Sequence, residues 1–543
     1  MQIGSPRRRR AYAVALLATA VLAAACPGGN TATLQTFEPA NSSPLDAGVV
    51  RTFTGLVRGL VAADYRLFQG IPYAAPPVGP LRWQPPRPVA PWPGMRDGSK
   101  PGPQCSQESE RGRGGRTASE DCLTLNVWTP AAGADKRPVM VWIHGGGFVN
   151  GSGDLYNARW LAARGQIIVV TINYRLGALG FLAHPSLGPP AELGNYGLAD
   201  QQAALRWVRD NIANFGGDPT KVTVAGESAG AMSVCDHLVA PGSAGLFRSA
   251  IIQSGPCQAQ VDLATAQRTS VDYAASVGCP DPAAAAQCLR ALPAATLARP
   301  PWYSHIGDSD ALASPITGTA ALPVDPVAAF TTGSGARVPV LIGTNHDEFT
   351  MFAALRYLRL GRAVTAAEYP RVLADIFGAG GRAVLAHYPL ERYGGDVSLA
   401  YSAAVTDGVF TCVADRMVDG LRHGAAVYAY EFNDRDAPAP TPLRRVPFPV
   451  GASHSLELRY LFNGGAPPLN PGQRKLSNQM IDYWSRFVVT GAPNAPGQPG
   501  WPAVSSDPAH SPWMSLQPGG TRIITDFGQS HQCPFWATLK GKR

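Results

Sequence analysis

From Val49 onward, short apolar runs alternate with stretches in which apolar residues recur at helical spacing. The runs Val139 to Ile143, Ile167 to Ile172, Val222 to Ala225, Ala250 to Gln253 and Val338 to Ile342 are β-branched and bounded by glycine or proline. That is the composition of strands buried on both faces. Between them, Leu198 to Asn214 reads as an amphipathic helix. Alternation of this kind predicts an α/β protein with a mostly parallel sheet covered by helices on both faces. Near the C-terminus Leu476, Met480, Trp484 and Phe487 form one helical stripe, which Gly491 and Pro493 bring to a stop. The stripe is expected to pack into the core.

The first 25 residues break this pattern. Arg7 to Arg10 form a basic cluster, Ala11 to Ala25 an apolar run, and Ala23, Ala24 and Ala25 a small-residue cleavage site. These are the parts of a signal peptide, and the run is shorter than the ~20 apolar residues of a spanning helix. Residues 26–48, with Pro27, Gly28, Gly29 and a Ser-Ser-Pro stretch, read as a flexible tether, leaving 49–543 for one catalytic domain. Cleavage before Cys26 would expose that residue to lipid modification and anchor the chain at the cell envelope; secretion without lipid is the alternative.

The chain has 543 residues, 45% hydrophobic and 15% charged, enough to bury a large core. Loss of the leader removes four arginines and no acids, taking the net charge from +8 to +4. No basic stripe interleaved with aromatic residues is present, so nucleic acid is not implied as a partner. Nine cysteines fit an oxidising compartment, with Cys26 as the odd one.

The strand Val222 to Ala225 runs into Gly226-Glu227-Ser228-Ala229-Gly230 and then a helical segment. This is the G-x-S-x-G context of a nucleophile elbow, in which a sharp turn pushes a serine hydroxyl above the sheet. Such a serine needs a base and an orienting carboxylate further along the chain. His387, His423, His454, His510 and His531 all lie downstream, and either Asp347 or Glu348, just after the strand Val338 to Ile342, can supply the acid. His144-Gly145-Gly146-Gly147-Phe148 follows another strand and brings backbone N–H groups close to a developing oxyanion. It lacks the Lys-Ser/Thr ending of a phosphate loop.

With these residues in view, the sequence resembles the type-B carboxylesterase and cholinesterase family, including bacterial para-nitrobenzyl esterase-like members, from about residue 50 to the C-terminus. The landmarks are Phe68 to Ala74, Ser119 to Asn126, the HGGGF run, Asn173-Tyr174-Arg175, Asn195 to Gln201, Asn214 to Pro219, the elbow and the Trp484 helix. The resemblance implies the α/β-hydrolase fold and a serine carboxylesterase with Ser228 as nucleophile, Glu348 as acid and His454 as base. It implies oxyanion donors at Gly146, Gly147 and Ala229, and Glu227 as a pocket carboxylate. It also implies disulfides Cys105–Cys122, Cys279–Cys288 and Cys412–Cys533, and structural ion pairs Arg82–Glu120 and Arg175–Asp200. Cys235 and Cys257 are left as a fourth bridge or two buried thiols. The family has glycine after the acid, where this chain has Phe349.

No metal or cofactor is required, and the sequence shows no zinc-type cluster. The segment between Cys105 and Cys122 has no aromatic platform for a choline cation and no apolar lid face. The expected partner is therefore a soluble carboxylic ester of short to medium acyl chain, a class in which aryl and benzyl esters are one option. A lipase and a catalytically inactive adhesion module are the alternatives; the module is disfavoured by the intact triad positions.

Overall fold

The computed structural model describes residues 46–107, 117–131, 135–298, 312–462, 467–505 and 511–539. The expected leader, Cys26 and all but the last three residues of the tether lie outside them. Eleven strands among the described residues join into one sheet. In chain order they are β1 (Leu60–Val61), β2 (Tyr65–Pro72), β3 (Thr124–Pro130), β4 (Arg137–Ile143), β5 (Ile168–Ile172) and β6 (Gly217–Glu227), followed by β7 (Ser249–Gln253), β8 (Val340–Asn345), β9 (Val427–Phe432), β10 (Trp513–Leu516) and β11 (Arg522–Ile524). Their spatial order is β11-β10-β9-β8-β7-β6-β4-β5-β3-β2-β1.

The strands from β10 to β5 run parallel. The two margins of the sheet turn antiparallel, β11 on one side and β3, β2 and β1 on the other. The expected strands are all present, with ends displaced: β6 starts at Gly217 and β8 ends at Asn345. Hydrogen bonding across the ladder carries both strands past the apolar stretch that marked them.

Two-sided burial explains why these runs are apolar throughout. On β4, Val139, Val141 and Ile143 enter one core while Met140 and Trp142 enter the other. Ala250 and Ile252 on β7 likewise separate from Ile251, as a side-chain period of two demands. The first core is closed by α1 (Tyr196–Asn211) and α2 (Ala229–Val239), through residues such as Leu205, Val208 and Val234. Later helices are α3 (Thr350–Leu360), α4 (Val397–Val405), α5 (Cys412–Leu421), α6 (Pro471–Thr490) and α7 (Cys533–Thr538).

The second core is closed by α6, whose expected stripe of Leu476, Met480, Trp484 and Phe487 is fully buried there. Asn470 and Gln473 form a capping box at its start, and Gly491, at φ +78°, ends it. The Trp484 indole donates to Gln253 Oε1 at 2.8 Å, which ties this helix to the end of β7. A π-helical segment, Thr406–Thr411, joins α4 to α5. The continuous run Val397–Leu421 is long and apolar enough to cross a membrane, yet 83% of its apolar window is buried inside the protein, which makes it a core helix.

All three family disulfides are present, and Cys235–Cys257 forms a fourth. Cys235 on α2 and Cys257 just beyond β7 have Cα atoms 6.1 Å apart, because α2 packs against that strand's exit. Four bridges fit an extracellular or secreted protein. Both structural ion pairs form. Arg82 meets Glu120 with two bonds of 2.7 and 2.6 Å, and Arg175 meets Asp200 with bonds of 2.7 and 2.8 Å. Asp200 is fully buried and Arg175 nearly so. Asp200→Asn is expected to destabilise the fold by about 3–5 kcal/mol, because the guanidinium loses its counter-charge in a dry site; urea unfolding measures this.

Candidate active site

Ser228 sits between β6 and α2 at φ +56° and ψ −123°, a backbone region that residues with a Cβ rarely occupy. The turn closes because its neighbours two positions away have no side chain. A Cβ at Gly226 would lie 2.4 Å from the Gly230 carbonyl, and one at Gly230 would lie 2.0 Å from the Ile143 oxygen. The Ser228 N–H donates to Gln253 O at 2.9 Å, so β7 holds the turn from the side. Ala229 opens α2, and its N–H faces out of the helix N-terminus without an intrahelical acceptor.

The glycine loop after β4 lies against this elbow. A Cβ on Gly145 would meet Glu227 Oε2 at 2.6 Å and Ser228 Cβ at 3.0 Å. Gly146 has φ +104° and Gly147 φ +59°, which turns the backbone across the end of β6. His144 does not face the reacting side: its Nδ1 meets Gly145 O at 2.8 Å, and its ring stacks on Tyr174 at 4.4 Å. Burial pushes its pKa down to about 4, so the ring is a neutral prop for the loop.

Of the two carboxylates left open by sequence, Glu348 faces the histidine. Glu348 Oε2 lies 2.6 Å from His454 Nδ1, and Glu348 Oε1 accepts the Asn345 N–H at 2.7 Å. Asp347 turns instead to Arg435 and to the Ala452 N–H, at 2.5 and 2.9 Å. It pins the histidine loop, while the His454 N–H donates to Glu348 O at 3.2 Å. Phe349 has φ −80° and ψ −8°, ordinary helical values, so glycine is not needed after this acid. Its ring is buried against Phe352 and Tyr401. The other downstream histidines lie elsewhere or, for His510, outside the described residues.

The resemblance named Glu227 as a pocket carboxylate, but Glu457 and the side-chain amides of Asn345 and Gln253 near the imidazole were not foreseen. Glu227 Oε1 lies 3.2 Å from His454 Nε2 and accepts the Ser455 hydroxyl at 2.5 Å. Glu457 accepts from Asn345 Nδ2 at 2.6 Å and from Gln253 Nε2 at 3.1 Å. The one signal was an acid, Glu457, placed between two leucines in a loop otherwise entering the core. Burial opposes protonation of His454, but the charges of Glu227 and Glu348, the hydrogen bond to Glu348 and the charge of Glu457 together raise its pKa to about 9. Burial and mutual repulsion push Glu227 up as well, and Glu457 to about 8. The rings of Phe352 and Phe410 stand 5.1 and 5.3 Å from the imidazole and keep it from water.

A parallel sheet with a strained serine elbow at the carboxyl end of β6, a glycine loop after β4 and a carboxylate after β8 that meets a histidine from beyond β9 defines an α/β-hydrolase. The carboxylesterase family model matches residues 46–536, and the chain belongs to that family. It is 33% identical to the acylcarnitine hydrolase of Mus musculus, over 91% of each chain. It is also 33% identical to the pyrethroid hydrolase Ces2e of Rattus norvegicus, over 89% of this chain and 88% of the relative. Identity to the fumonisin B1 esterase of Sphingopyxis macrogoltabida is 34%, over 84% of this chain and 85% of the relative. The protein is a serine carboxylesterase.

Gly230→Ala is expected to abolish ester turnover, since no rotamer change relieves a contact between Cβ and the Ile143 backbone; the measurement is kcat/KM beside a far-ultraviolet spectrum. Glu227→Gln removes a negative charge that favours imidazolium. The acid limb of the kcat/KM pH profile is expected to move to lower pH, because neutral His454 then persists there.

Proposed function

We propose that Ser228 is the nucleophile, His454 the general base, Glu348 the carboxylate that orients and stabilises it, and the N–H groups of Gly146, Gly147 and Ala229 the oxyanion hole. The observation that carries this reading is the 2.6 Å contact between His454 Nδ1 and buried Glu348, which leaves Nε2 facing the elbow side. In the first step Nε2 takes the Ser228 proton as Oγ attacks the ester carbonyl carbon. The tetrahedral oxyanion accepts the backbone N–H groups, each worth ~3 kcal/mol. Collapse breaks the bond to the alcohol oxygen, which receives the proton from His454. Water then repeats the sequence on the acyl-enzyme and releases the acid. Glu227 acts in the pocket by stabilising the imidazolium formed in both steps.

The substrate class is a soluble carboxylic ester of short to medium acyl chain with an aryl or benzyl alcohol. Phe352 and Phe410 beside the imidazole support it, since aromatic walls favour a flat apolar leaving group. The relatives, which include a pyrethroid hydrolase and a fumonisin B1 esterase, support an ester as the substrate. Residues 1–25 serve as an export leader, 26–48 as a tether and 49–543 as the catalytic domain; the four disulfides support export.

Ser228→Ala is expected to lower aryl ester turnover at least about 10⁴-fold. Equal rates for the two proteins would remove Ser228 from the mechanism. Across para-nitrophenyl esters of graded acyl length, kcat/KM is expected to peak at short or medium chains; a maximum at the longest chains would favour a lipase. Intact mass of the exported protein reads the cleavage point and whether Cys26 carries lipid.

A further inference from the structure

Three residues far apart in sequence meet next to the segment that carries Glu348. His346 directly follows β8, Glu431 lies in β9 and His531 precedes α7. Glu431 Oε1 is 2.6 Å from His346 Nδ1 and 2.8 Å from His531 Nε2. The donor atoms of the three all lie within 4.8 Å of one another, the one such group of histidines and acids found among the described residues. Beyond them, His531 Nδ1 meets Asp407 Oδ1 at 2.7 Å, and Asp407 Oδ2 accepts the Tyr388 hydroxyl at 2.8 Å. The Trp536 indole donates to that hydroxyl, also at 2.8 Å.

We propose that His346, Glu431 and His531 form a binding site for one divalent transition-metal ion of the zinc type. Two imidazole nitrogens and one carboxylate are a zinc donor set, with a fourth place left for solvent. The Asp407-His531 contact is the outer partner that such sites use: it keeps the hydrogen on Nδ1 and aims Nε2 inward. Without a metal, Glu431 Oε1 must receive a hydrogen from both rings, so His531 carries two. A bound cation takes the place of the hydrogens on His346 Nδ1 and His531 Nε2: His346 then carries its hydrogen on Nε2, His531 keeps the one on Nδ1 and gives the other to solvent, and the two charges of the ion balance Glu431 and Asp407. Tetrahedral zinc sets its nitrogen and oxygen donors roughly 3.3 Å apart, so the rings need to spread by roughly half an ångström. The His346 side chain is 28% exposed, which gives the ion an entry, whereas Glu431 and His531 are 4% exposed. The π-helical segment supplies Asp407, and the Cys412–Cys533 bridge holds the chain next to His531. Occupancy would clamp the ends of β8 and β9 to the C-terminal segment, two residues from Glu348.

The test uses the full chain freed of metal by a chelator, titrated with zinc chloride in a calorimeter and with cobalt(II) by visible absorption. Expected are one equivalent bound, proton release, a Tm that rises with zinc concentration and a tetrahedral cobalt spectrum. His346→Ala is expected to abolish this binding while keeping aryl ester turnover, and Asp407→Asn to weaken it about 10- to 100-fold. Should Asp407→Asn fail to fold, partly exposed His346→Ala carries the test. No saturable binding by the unaltered chain, or equal binding by His346→Ala, overturns the proposal and leaves an imidazolium held between two carboxylates.

Discussion

The backbone turn at Ser228 is the constraint on which the site depends. A residue with a side chain is held at φ +56° and ψ −123°, at a cost of about 1–3 kcal/mol, and the surrounding structure must over-determine it. Three contacts do so: the Gly230 backbone against Gly226, the Ile143 oxygen against Gly230, and the Gln253 carbonyl on the Ser228 N–H. These come from α2, β4 and β7. The elbow is therefore only as rigid as the parallel register that brings β4, β6 and β7 together, and that register rests on the two-sided burial of their alternating side chains.

The same register gathers charge where water is scarce. Glu227, Glu348 and Glu457 surround one imidazole, all four buried. Isolated carboxylates would not ionise there. Asn345, Gln253, Ser455 and the Asn345 N–H share the load by hydrogen bonding to the acids, and Trp484 fixes Gln253 in turn. A helix stripe that serves the core thus also orients the polar layer around His454. This layer accounts for a histidine whose pKa is raised although burial alone would lower it.

The five strands β4 to β8, the helices α1 and α6, the elbow and the glycine loop were legible because each depends on local chemistry: period, β-branching, caps and missing Cβ atoms. Resemblance to a family then separated Glu348 from Asp347 and His454 from four other histidines. Nothing local distinguished them. Adjacent carboxylates point opposite ways from a strand end, and the outcome follows from Arg435 and Ala452, which approach Asp347 from elsewhere in the chain. Phe349 shows the reverse case, where a departure from the family pattern falls on helical backbone that does not require glycine.

By itself the sequence determined the central strands β4 to β8, the helices α1 and α6, where the serine turn lies and which glycines it needs, since these are properties of neighbouring residues. Tertiary structure alone decided the pairing of Cys235 with Cys257, the enclosure of His454 by Glu227 and Glu457, and the meeting of His346, Glu431 and His531. The physical reason is range. Polar partners separated by 85, 100 or 228 residues meet only through the order of strands in the sheet, and that order leaves no periodic trace in the chain.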